Sequence, residues 1–330
     1  MAMLRKRLLV DEWVVIAPTR ADRPQQFSTS TTSKDDRGCP FCPESIELTP
    51  PTIESWESPS FGHADWGVRV IPNKFPALRV EETYHTDSDP LYETRGALGA
   101  HEVIIESPVH YKDWEEFEPE HLKVILRSWQ DRMIDLRGDR RLRCAMIFKN
   151  QGALAGATLE HVHSQLIALP RVPSRLQREL DGAKDYFDAH GRCALCDMLD
   201  RERESGQRIV LENEGAVAVT PFASRMPFEL WLLPTAHQGD FMSAQSRQLE
   251  VLAELIAEIL PLWRTAIGST AYNLILHCLP FDLVDEPYYH WHVELLPRTG
   301  RIAGFEWGSD IFINATPSEV AAHHLRNLVT

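Results

Sequence analysis

Two stretches of the chain repeat one pattern of apolar and polar positions. Residues 103–110 form an apolar run that leads into a proline and then a histidine, and residues 230–237 do the same. Runs of this kind predict β-strands. Each is followed by apolar residues at three- and four-residue steps, which predicts amphipathic helices at about residues 121–136 and 246–265. Each of two similar units therefore opens with a strand and a helix.

A second pair of apolar strands follows these helices, at residues 144–148 and 272–276. The last strand of each unit opens on two histidines separated by one residue, at residues 161–169 and 290–296. Short strands with intervening helices and tight returns favour antiparallel sheets of the α+β class over a parallel βαβ array. We therefore expect a strand–helix–strand–loop–strand unit that is used twice.

The chain is long enough for both units to be domains of ordinary size. It has 330 residues, of which 43% are hydrophobic and 25% charged, a balance that is typical of a globular protein. A charged helical stretch near residues 178–191 ends just before the second pair of closely spaced cysteines. We place the boundary there and expect two domains, residues 1–180 and residues 181–330.

The charge of the chain argues against one class of partner. Its formal net charge of −14 disfavours a nucleic-acid-binding surface, which would normally be basic. A nucleotide substrate stays open, because a few local cations and backbone N–H groups suffice to hold two phosphates. No apolar run approaches the roughly 20 residues of a membrane helix, and the N-terminal run is too short for a secretory signal. We therefore expect a cytoplasmic protein without membrane or nucleic-acid partners.

Each half carries a Cys-x-x-Cys pair and, further along, a histidine and a His-x-His pair. A Cys-x-x-Cys turn can direct two thiolates at one ion, and Zn²⁺ takes four ligands in a tetrahedron. We expect two zinc sites, formed by Cys39, Cys42, His110 and His161 in the first half and by Cys193, Cys196, His237 and His290 in the second. Both would be structural, because four protein ligands leave no open position for water. The alternatives are unmetallated thiols and, less favoured, a redox dithiol, since neither pair opens a thioredoxin-like βα turn.

One histidine of each His-x-His pair is left over, and the two are not equal. Only His163 is followed by Ser-Gln, and it comes after a loop rich in Gly and Ala at residues 150–158, which lets backbone approach a phosphate. Residues two apart on a strand face the same way, so a metal on His161 would anchor the backbone that aims His163. Imidazole is neutral near pH 7 and nucleophilic, which suits attack on phosphorus. Gln165 could donate a hydrogen bond to a phosphoryl oxygen.

The counterpart in the second half, His292, is followed by Val-Glu and is interpreted as a relic, a structural residue or a metal neighbour. His277 occupies the position of Asn150 and stays unassigned. The other histidines have no counterpart in the other repeat that would suggest a chemical role. We interpret them as ordinary residues: His63, His85, His101, His121, His190, His323 and His324.

Further motifs, together with the cysteine and histidine pairs, make the chain similar to one family. They are Arg20-Ala21-Asp22-Arg23-Pro24, Pro72-Asn73-Lys74-Phe75-Pro76-Ala77-Leu78, the loop from Asn150 to Thr158, Pro227-Phe228-Glu229 and Gly304-Phe305-Glu306. On these residues the chain resembles the galactose-1-phosphate uridylyltransferase family, within the histidine-triad superfamily, over nearly its whole length. The resemblance implies two tandem histidine-triad-like domains with antiparallel sheets flanked by helices.

The resemblance also implies a ping-pong nucleotidyl transfer between a nucleoside diphosphate sugar and a sugar 1-phosphate. His163 matches the family nucleophile. By motif match, the nucleotide pocket would be lined by Arg20, Arg23, Asn73, Lys74 and Phe75. The phosphates would be contacted by Asn150, Gly156, Thr158 and Gln165. Members usually form homodimers, in which the segment around Phe305 and Glu306 would serve the partner's site.

The sequence leaves the substrate open. Our first expectation is a hexose-1-phosphate uridylyltransferase of galactose metabolism. The second Cys-x-x-Cys pair, the sequence of the Ala-Gly-Ala-Thr loop and the His-Ser-Gln sequence resemble the ADP-glucose phosphorylase branch. The acceptor in that branch is inorganic phosphate. A non-catalytic, zinc-stabilised nucleotide-binding protein is a further alternative. Members often have another metal site with a glutamate just before an Arg-Leu-Gln, and here Pro173 and Ser174 stand before Arg175-Leu176-Gln177, so we expect that glutamate to be missing.

Overall fold

The fold is organised around antiparallel strands. The computed structural model describes residues 3–7, 10, 13–16, 38–62, 64–83, 86–87, 91, 94–268, 271–300 and 302–329. Its strands are β1 (Met3–Lys6), β2 (Trp13–Ile16), β3 (Glu54–Trp56), β4 (Val68–Pro72), β5 (Thr86–Asp87), β6 (Thr94–Arg95), β7 (Ala100–Ile105), β8 (Cys144–Gln151), β9 (His163–Leu169), β10 (Ile209–Glu212), β11 (Ala216–Val219), β12 (Leu230–Pro234), β13 (Tyr272–His277), β14 (His292–Pro297) and β15 (Phe312–Asn314). Its α-helices are α1 (Pro119–Arg137), α2 (Ser174–His190), α3 (Ala194–Ser205), α4 (Ser246–Ile267), α5 (Gly304–Ser309) and α6 (Ser318–Val329).

Ten of these strands form one sheet in the order β10-β11-β12-β14-β13-β8-β9-β7-β4-β3, and every neighbouring pair is antiparallel. The order reads alike from both ends, with β8 and β13 meeting at the centre. The predicted unit is β7-α1-β8-β9 in the first half and β12-α4-β13-β14 in the second. The expected α+β class with an antiparallel sheet flanked by helices is confirmed, and the two halves share one continuous sheet.

Helices α1 and α4 pack together and cover one face of the sheet. The stripe at three- and four-residue steps explains this, since Leu122, Ile125 and Trp129 are fully buried, as are their counterparts on α4. Pro119 begins α1 and Gly268, at φ +58°, ends α4, as the backbone preferences of these residues favour. Strand residues from both halves line this core, among them Ile104, Ile147, Leu166, Leu232, Leu274 and Val293.

The opposite face of the sheet carries the candidate chemistry. Side chains alternate along a strand, and Leu166 and Ile147 belong to the helix-covered core. His163 and Gln165 therefore lie on the other face, beside the strand that carries Asn150. The observed strands begin two residues later than predicted, at His163 and His292, so the first histidine of each pair precedes its strand.

Two smaller sheets and the expected boundary complete the description. β1, β2 and β15 form a three-stranded sheet in which β15 runs parallel to β2, and β5 pairs with β6. Residue 180 lies inside α2, so the division into residues 1–180 and 181–330 stays a prediction. Among the described residues, no helix combines the length and the apolar character that crossing a bilayer requires.

Candidate active site and metal centres

The first Cys-His group assembles at one edge of the first half. Cys39 and Cys42 lie on a turn, where the Cys42 N–H donates to the Cys39 carbonyl at 3.3 Å. Cys42 Sγ lies 3.3 Å from His110 Nδ1 and 3.6 Å from His161 Nδ1, and Cys39 Sγ lies 3.6 Å from His161 Nδ1. Tetrahedral zinc, with Zn–S of about 2.3 Å and Zn–N of about 2.0 Å, would separate S and N by about 3.5 Å. The four residues therefore fit a structural zinc ion.

The orientation of His161 supports the same fit. Its Nε2 donates to the backbone carbonyl of Ser107 at 2.9 Å, which leaves the Nδ1 lone pair facing the two sulfur atoms. Burial lowers the pKa of His161 to about 4, so the ring is neutral and can act as a ligand near pH 7. A zinc ion here would tie the turn at Cys39 to the residue just before β9.

The second Cys-His group repeats this arrangement. Cys193 and Cys196 stand at the start of α3, and Cys196 Sγ lies 3.4 Å from His237 Nδ1 and 3.6 Å from His290 Nδ1. The ligand atoms of all four residues lie within 4.8 Å of one another. This set also fits zinc, and in both sets the ion would cross-link loops without an open coordination position.

A third group of possible ligands lies in the second half of the sheet, and the glutamate expected to be missing before the Arg-Leu-Gln is indeed missing. Glu179 on α2 approaches His277 and His292, so a glutamate is present although it does not directly precede the Arg-Leu-Gln. His277 Nδ1 lies 2.9 Å from Glu179 Oε2, and its Nε2 lies 3.1 Å from Glu294 Oε2. Burial alone would lower the pKa of His277, but the charges of Glu294 and Glu179 outweigh it and raise the pKa to about 9. The protonated ring is paired with both carboxylates, and Glu179, His277 and His292 also offer one ligand atom each within 4.8 Å of one another, an arrangement that could hold a metal ion once the ring is deprotonated.

The network continues away from His277. Arg225 Nη2 donates to Glu294 Oε2 at 2.7 Å and to Glu229 Oε1 at 2.8 Å. The hydroxyl of Tyr289 donates to Glu179 Oε1 at 2.8 Å. Every member is almost completely buried, and each carboxylate has a cationic or hydroxyl partner. The open face of the sheet in the second half is therefore filled by its own charges.

His163 stands at the start of β9 in a setting that suits a nucleophile. Its Nδ1 lies 2.8 Å from the backbone carbonyl of His161, and since a carbonyl only accepts, Nδ1 carries the hydrogen. The Nε2 lone pair is then the reactive one. Burial, followed by the nearby charge of Lys149, lowers the pKa of His163 to about 4. The edge of the ring packs on Phe41, with the ring centroids 5.3 Å apart.

Lys149 lies beneath the backbone of His163. Its ammonium is completely buried, pairs with Glu106 Oε2 at 2.6 Å and donates to the His163 carbonyl at 3.2 Å. Glu106 also accepts from Trp114 Nε1 at 2.7 Å. The carboxylate balances the buried cation, and the lysine holds the strand end that bears the nucleophile.

Gln165 is bonded to a histidine that the sequence left as ordinary. His101 Nε2 lies 3.0 Å from Gln165 Oε1, and Ala77 N–H donates to His101 Nδ1 at 3.1 Å. Asn73 Oδ1 accepts from the N–H of Phe75 at 2.9 Å. One feature places His101 near Gln165. It lies two residues before Val103 on β7, so the two side chains share a face, and Val103 pairs with Gln165 on β9.

The Gly- and Ala-rich loop is held by the second half. Asn273 Nδ2 on β13 donates to Asn150 Oδ1 at 2.7 Å and to the Ala155 carbonyl at 3.0 Å. Gly156 has φ +92°, a conformation that favours glycine, and a Cβ there would stand 3.9 Å from Asn150 Nδ2. Thr158 is exposed at the far end of the loop. Asn273 was missed from sequence because only the β8–β13 pairing brings it here.

The remaining predicted binding residues lie on exposed segments. Lys74 Nζ donates to the Leu48 carbonyl at 3.1 Å, and Phe75 is 84% exposed. Phe305 on α5 is half exposed, and Glu306 accepts from the N–H of Ala303 at 3.0 Å. Arg20 and Arg23 lie outside the described residues.

Comparison with known proteins identifies the family. The model of the galactose-1-phosphate uridyl transferase N-terminal domain matches residues 2–173, and a domain of unknown function, DUF4921, matches residues 89–330. The chain belongs to the galactose-1-phosphate uridyl transferase family. Members of this family are nucleotidyltransferase enzymes, in agreement with the enzyme class expected from the sequence.

Two relatives of the family resemble the chain over nearly its whole length. An ADP-glucose phosphorylase from Arabidopsis thaliana is 33% identical over 96% of this chain and 91% of its own. A galactose-1-phosphate uridylyltransferase from Haemophilus influenzae is 28% identical over 97% of this chain and 92% of its own.

Among solved structures, an ADP-glucose phosphorylase is again more similar to the chain than a uridylyltransferase is. A crystal structure of the Arabidopsis thaliana ADP-glucose phosphorylase with bound ADP-glucose aligns with a TM-score of 0.84, at 31% identity, over 99% of this chain and 98% of that one. A structure of a uridylyltransferase aligns with a TM-score of 0.77, at 25% identity, over 100% of this chain and 98% of that one.

Proposed function

We propose that this family member transfers the adenylyl group of ADP-glucose to inorganic phosphate through a covalent adduct on His163. One observation carries the choice of substrate: the similarity to ADP-glucose phosphorylase, at 33% identity over 96% of the chain, exceeds the 28% identity to a uridylyltransferase. This choice favours the alternative from the sequence over uridylyl transfer. The geometry around His163 supports covalent catalysis for either nucleotide.

In the first step, Nε2 of His163 attacks the α-phosphorus of the nucleoside diphosphate sugar. A P–N bond forms, the bond from that phosphorus to the bridging oxygen breaks, and glucose 1-phosphate leaves with the bond's electron pair. The ring becomes cationic, and its Nδ1–H already donates to the His161 carbonyl at 2.8 Å. This contact stabilises the cation as it forms.

In the second step, an oxygen of inorganic phosphate attacks the same phosphorus. The P–N bond breaks, the electron pair returns to Nε2, and the products are ADP and neutral His163. The low pKa of the ring, about 4, means that it re-enters each cycle unprotonated at neutral pH. A sugar 1-phosphate in place of phosphate would give the transferase reaction by the same steps.

The charge that develops on the phosphoryl oxygens needs donors on the open face of the sheet. Gln165 lies two residues beyond His163 on that face, and Asn150 sits on the neighbouring strand with its oxygen already bonded to Asn273. The amino groups of both side chains can therefore donate to phosphate. We assign backbone N–H groups of the Gly156–Thr158 segment to the same task, and Asn73, Lys74, Phe75, Arg20 and Arg23 to the nucleotide.

Zinc and a second subunit would complete the enzyme. Zinc held by the two Cys-His sets would stabilise the loops that flank the sheet, and the first set includes His161, whose carbonyl holds His163. Phe305 and Trp307 are 51% and 76% exposed on α5, which suits a segment that docks on another subunit. We propose a homodimer in which Phe305 and Glu306 reach the partner's site.

The test is single turnover with two nucleotide sugars. The enzyme is mixed with ADP-glucose or UDP-glucose without acceptor, and both the released glucose 1-phosphate and the labelled protein are quantified. We expect one adenylyl group per chain and faster labelling from ADP-glucose, with ADP formed on addition of phosphate. Faster labelling from UDP-glucose, with transfer to galactose 1-phosphate, would instead favour uridylyl transfer. Binding of nucleotide without any labelling would reject the enzymatic proposal.

A further inference from the structure

His101 on β7 lies outside every motif assigned above, yet it contacts the residue beside the nucleophile. We propose that His101 is a positioning residue, which holds the Gln165 amide so that its amino group faces the phosphoryl group on His163. This inference rests on the proposed function, since it concerns the donor that serves the transferred phosphoryl group. It gives a functional role to a histidine that the sequence pattern alone does not single out.

The tautomer of His101 follows from a backbone donor. Ala77 N–H points at Nδ1 across 3.1 Å, and a backbone N–H can only donate. Nδ1 must therefore present its lone pair. In a neutral imidazole the hydrogen then resides on Nε2, which makes Nε2 the donor of the ring.

The orientation of Gln165 follows from that hydrogen. His101 Nε2 lies 3.0 Å from Gln165 Oε1, so the amide oxygen is the acceptor of this bond. An amide has its oxygen and its amino group on opposite sides, and an amide flip would bring two donors together. The bond therefore leaves the amino group of Gln165 directed away from His101. Since Gln165 shares the open face of the sheet with His163, that amino group is available to a phosphoryl oxygen.

Asn73 places a second side chain beside the same nitrogen of His101. Its Oδ1 accepts from the N–H of Phe75 at 2.9 Å, which settles which end of this amide is the amino group. That amino group lies 3.1 Å from His101 Nε2. An amino group cannot accept, so Gln165 Oε1 is the acceptor for a hydrogen on Nε2, and the Asn73 amino group makes no hydrogen bond to the ring in this tautomer. The alternative tautomer could accept from Asn73 at Nε2, but it would set an N–H on Nδ1 against the N–H of Ala77.

One ring therefore connects two parts of the site. The backbone of His101 also accepts from the N–H of Asn73 at 2.8 Å, so the segment from Asn73 to Ala77 wraps around this residue. The same segment contains the residues proposed to bind the nucleotide. His101 couples the position of that segment to the orientation of the donor beside His163.

Two substitutions separate the two bonds of the ring. The amide nitrogen of glutamine reaches about as far as Nε2, so His101→Gln keeps a donor for Gln165 and loses the acceptor for Ala77. The amide oxygen of asparagine stands near Nδ1, so His101→Asn keeps the acceptor and loses the donor. His323→Asn, on an exposed face of α6, is the matched control.

The readout is the rate constant for adenylylation from ADP-glucose, together with the concentration for half-maximal rate. We expect His101→Asn to slow adenylylation by about a hundredfold, the size of effect that a small misplacement of a group at the site can have, and His101→Gln to retain most of the rate. In a Gln165→Ala background, His101→Asn should have no further effect. Equal rates for His101→Asn and wild type, or equal losses for both His101 variants, would overturn the proposal.

A measurement that does not use turnover separates this inference from the proposed function. The ¹⁵N resonances of the His101 ring report its tautomer in the full-length protein. We expect hydrogen on Nε2 and a free lone pair on Nδ1, and the opposite tautomer would overturn the proposal whatever the substrate. If wild type shows the expected tautomer but never forms an adduct, the proposed function fails and the positioning role fails with it. If wild type forms the adduct and His101→Asn forms it equally fast, only the positioning role fails.

Discussion

The two halves of the sheet place a histidine at the same point and surround it differently. His163 begins β9 and His292 begins β14, and each ring donates from Nδ1 to the carbonyl two residues earlier, at 2.8 Å and 3.2 Å. His163 packs edge-on against Phe41, whereas His292 is stacked on His277 and packs at a tilt against Trp231, with centroids 4.7 Å and 4.9 Å away. The shared backbone geometry is thus not sufficient for chemistry.

The residue two positions further along separates the halves again. Gln165 is a neutral amide that can donate to a phosphate, whereas Glu294 is a buried carboxylate that would repel one. Arg225 and Arg7 pair with Glu294, and His277 pairs with it from the other side. In the second half, paired charged side chains occupy the open face of the sheet. In the first half, we expect the same face to bind a ligand.

The largest expected effect comes from substituting each of the two histidines in turn. We expect His163→Asn to abolish the adduct and to lower turnover by about four orders of magnitude, since the nucleophile is lost. His292→Asn should keep the adduct and lose thermal stability, because a stacked core ring is removed. Single-turnover labelling and thermal unfolding measure both. Loss of labelling in both variants alike would remove the distinction between the halves.

The next effect concerns stability and pH in the second half. A group whose pKa is raised on folding stabilises the protein below its unfolded pKa, and this is lost as the pH rises through the folded value. With the pKa of His277 at about 9 and an ordinary value of 6.5, its charge contributes up to about 3 kcal/mol below pH 6.5. We expect His277→Gln to lower the free energy of unfolding by that amount at pH 6.5.

The pH dependence carries its own control. The deficit of His277→Gln should shrink between pH 6.5 and about 9 in denaturant unfolding experiments. His121 is a buried histidine whose pKa burial lowers to about 4, so the cost of His121→Gln should stay constant over this range. A deficit of His277→Gln that does not change with pH would show that the ring is not the cation of the network.

These two comparisons also show what the sequence could and could not predict. The repeated unit and both Cys-His sets depend on local spacing, and the structure brings each set together. The single sheet was not predicted, because β8–β13 pairing joins edges that are far apart in the chain. His101, Asn273 and Glu179 were missed for the same reason, since each acts through a neighbour on another element.

A smaller effect should follow from removing either metal site. Cys39→Ser disturbs the group that contains His161, whose carbonyl orients His163. We expect adenylylation to slow by about tenfold to a hundredfold, as is usual when the support of a site is lost. Cys193→Ser should lose zinc and stability while keeping the labelling rate near that of wild type. Metal analysis of both variants with labelling kinetics tests this, and equal losses of rate would contradict the assigned roles.

The smallest expected effect concerns Glu294→Gln, for which we expect no additional covalent labelling. Glu294→Gln gives the second half the amide that follows the nucleophile in the first. Because His292 stays packed against the rings of His277 and Trp231 and is only 1% exposed, we expect labelling to remain at one adenylyl group per chain. Intact-protein mass spectrometry counts the groups. A second label would mean that the carboxylate alone had silenced His292.

The most direct test of the account is intact-protein mass spectrometry of wild type after exposure to ADP-glucose without phosphate. We expect a mass gain of one adenylyl group, on a peptide that contains His163, lost in acid as a P–N bond should be and discharged as ADP when phosphate is added. Steady production of ADP and glucose 1-phosphate with no adduct in rapidly quenched samples would contradict it.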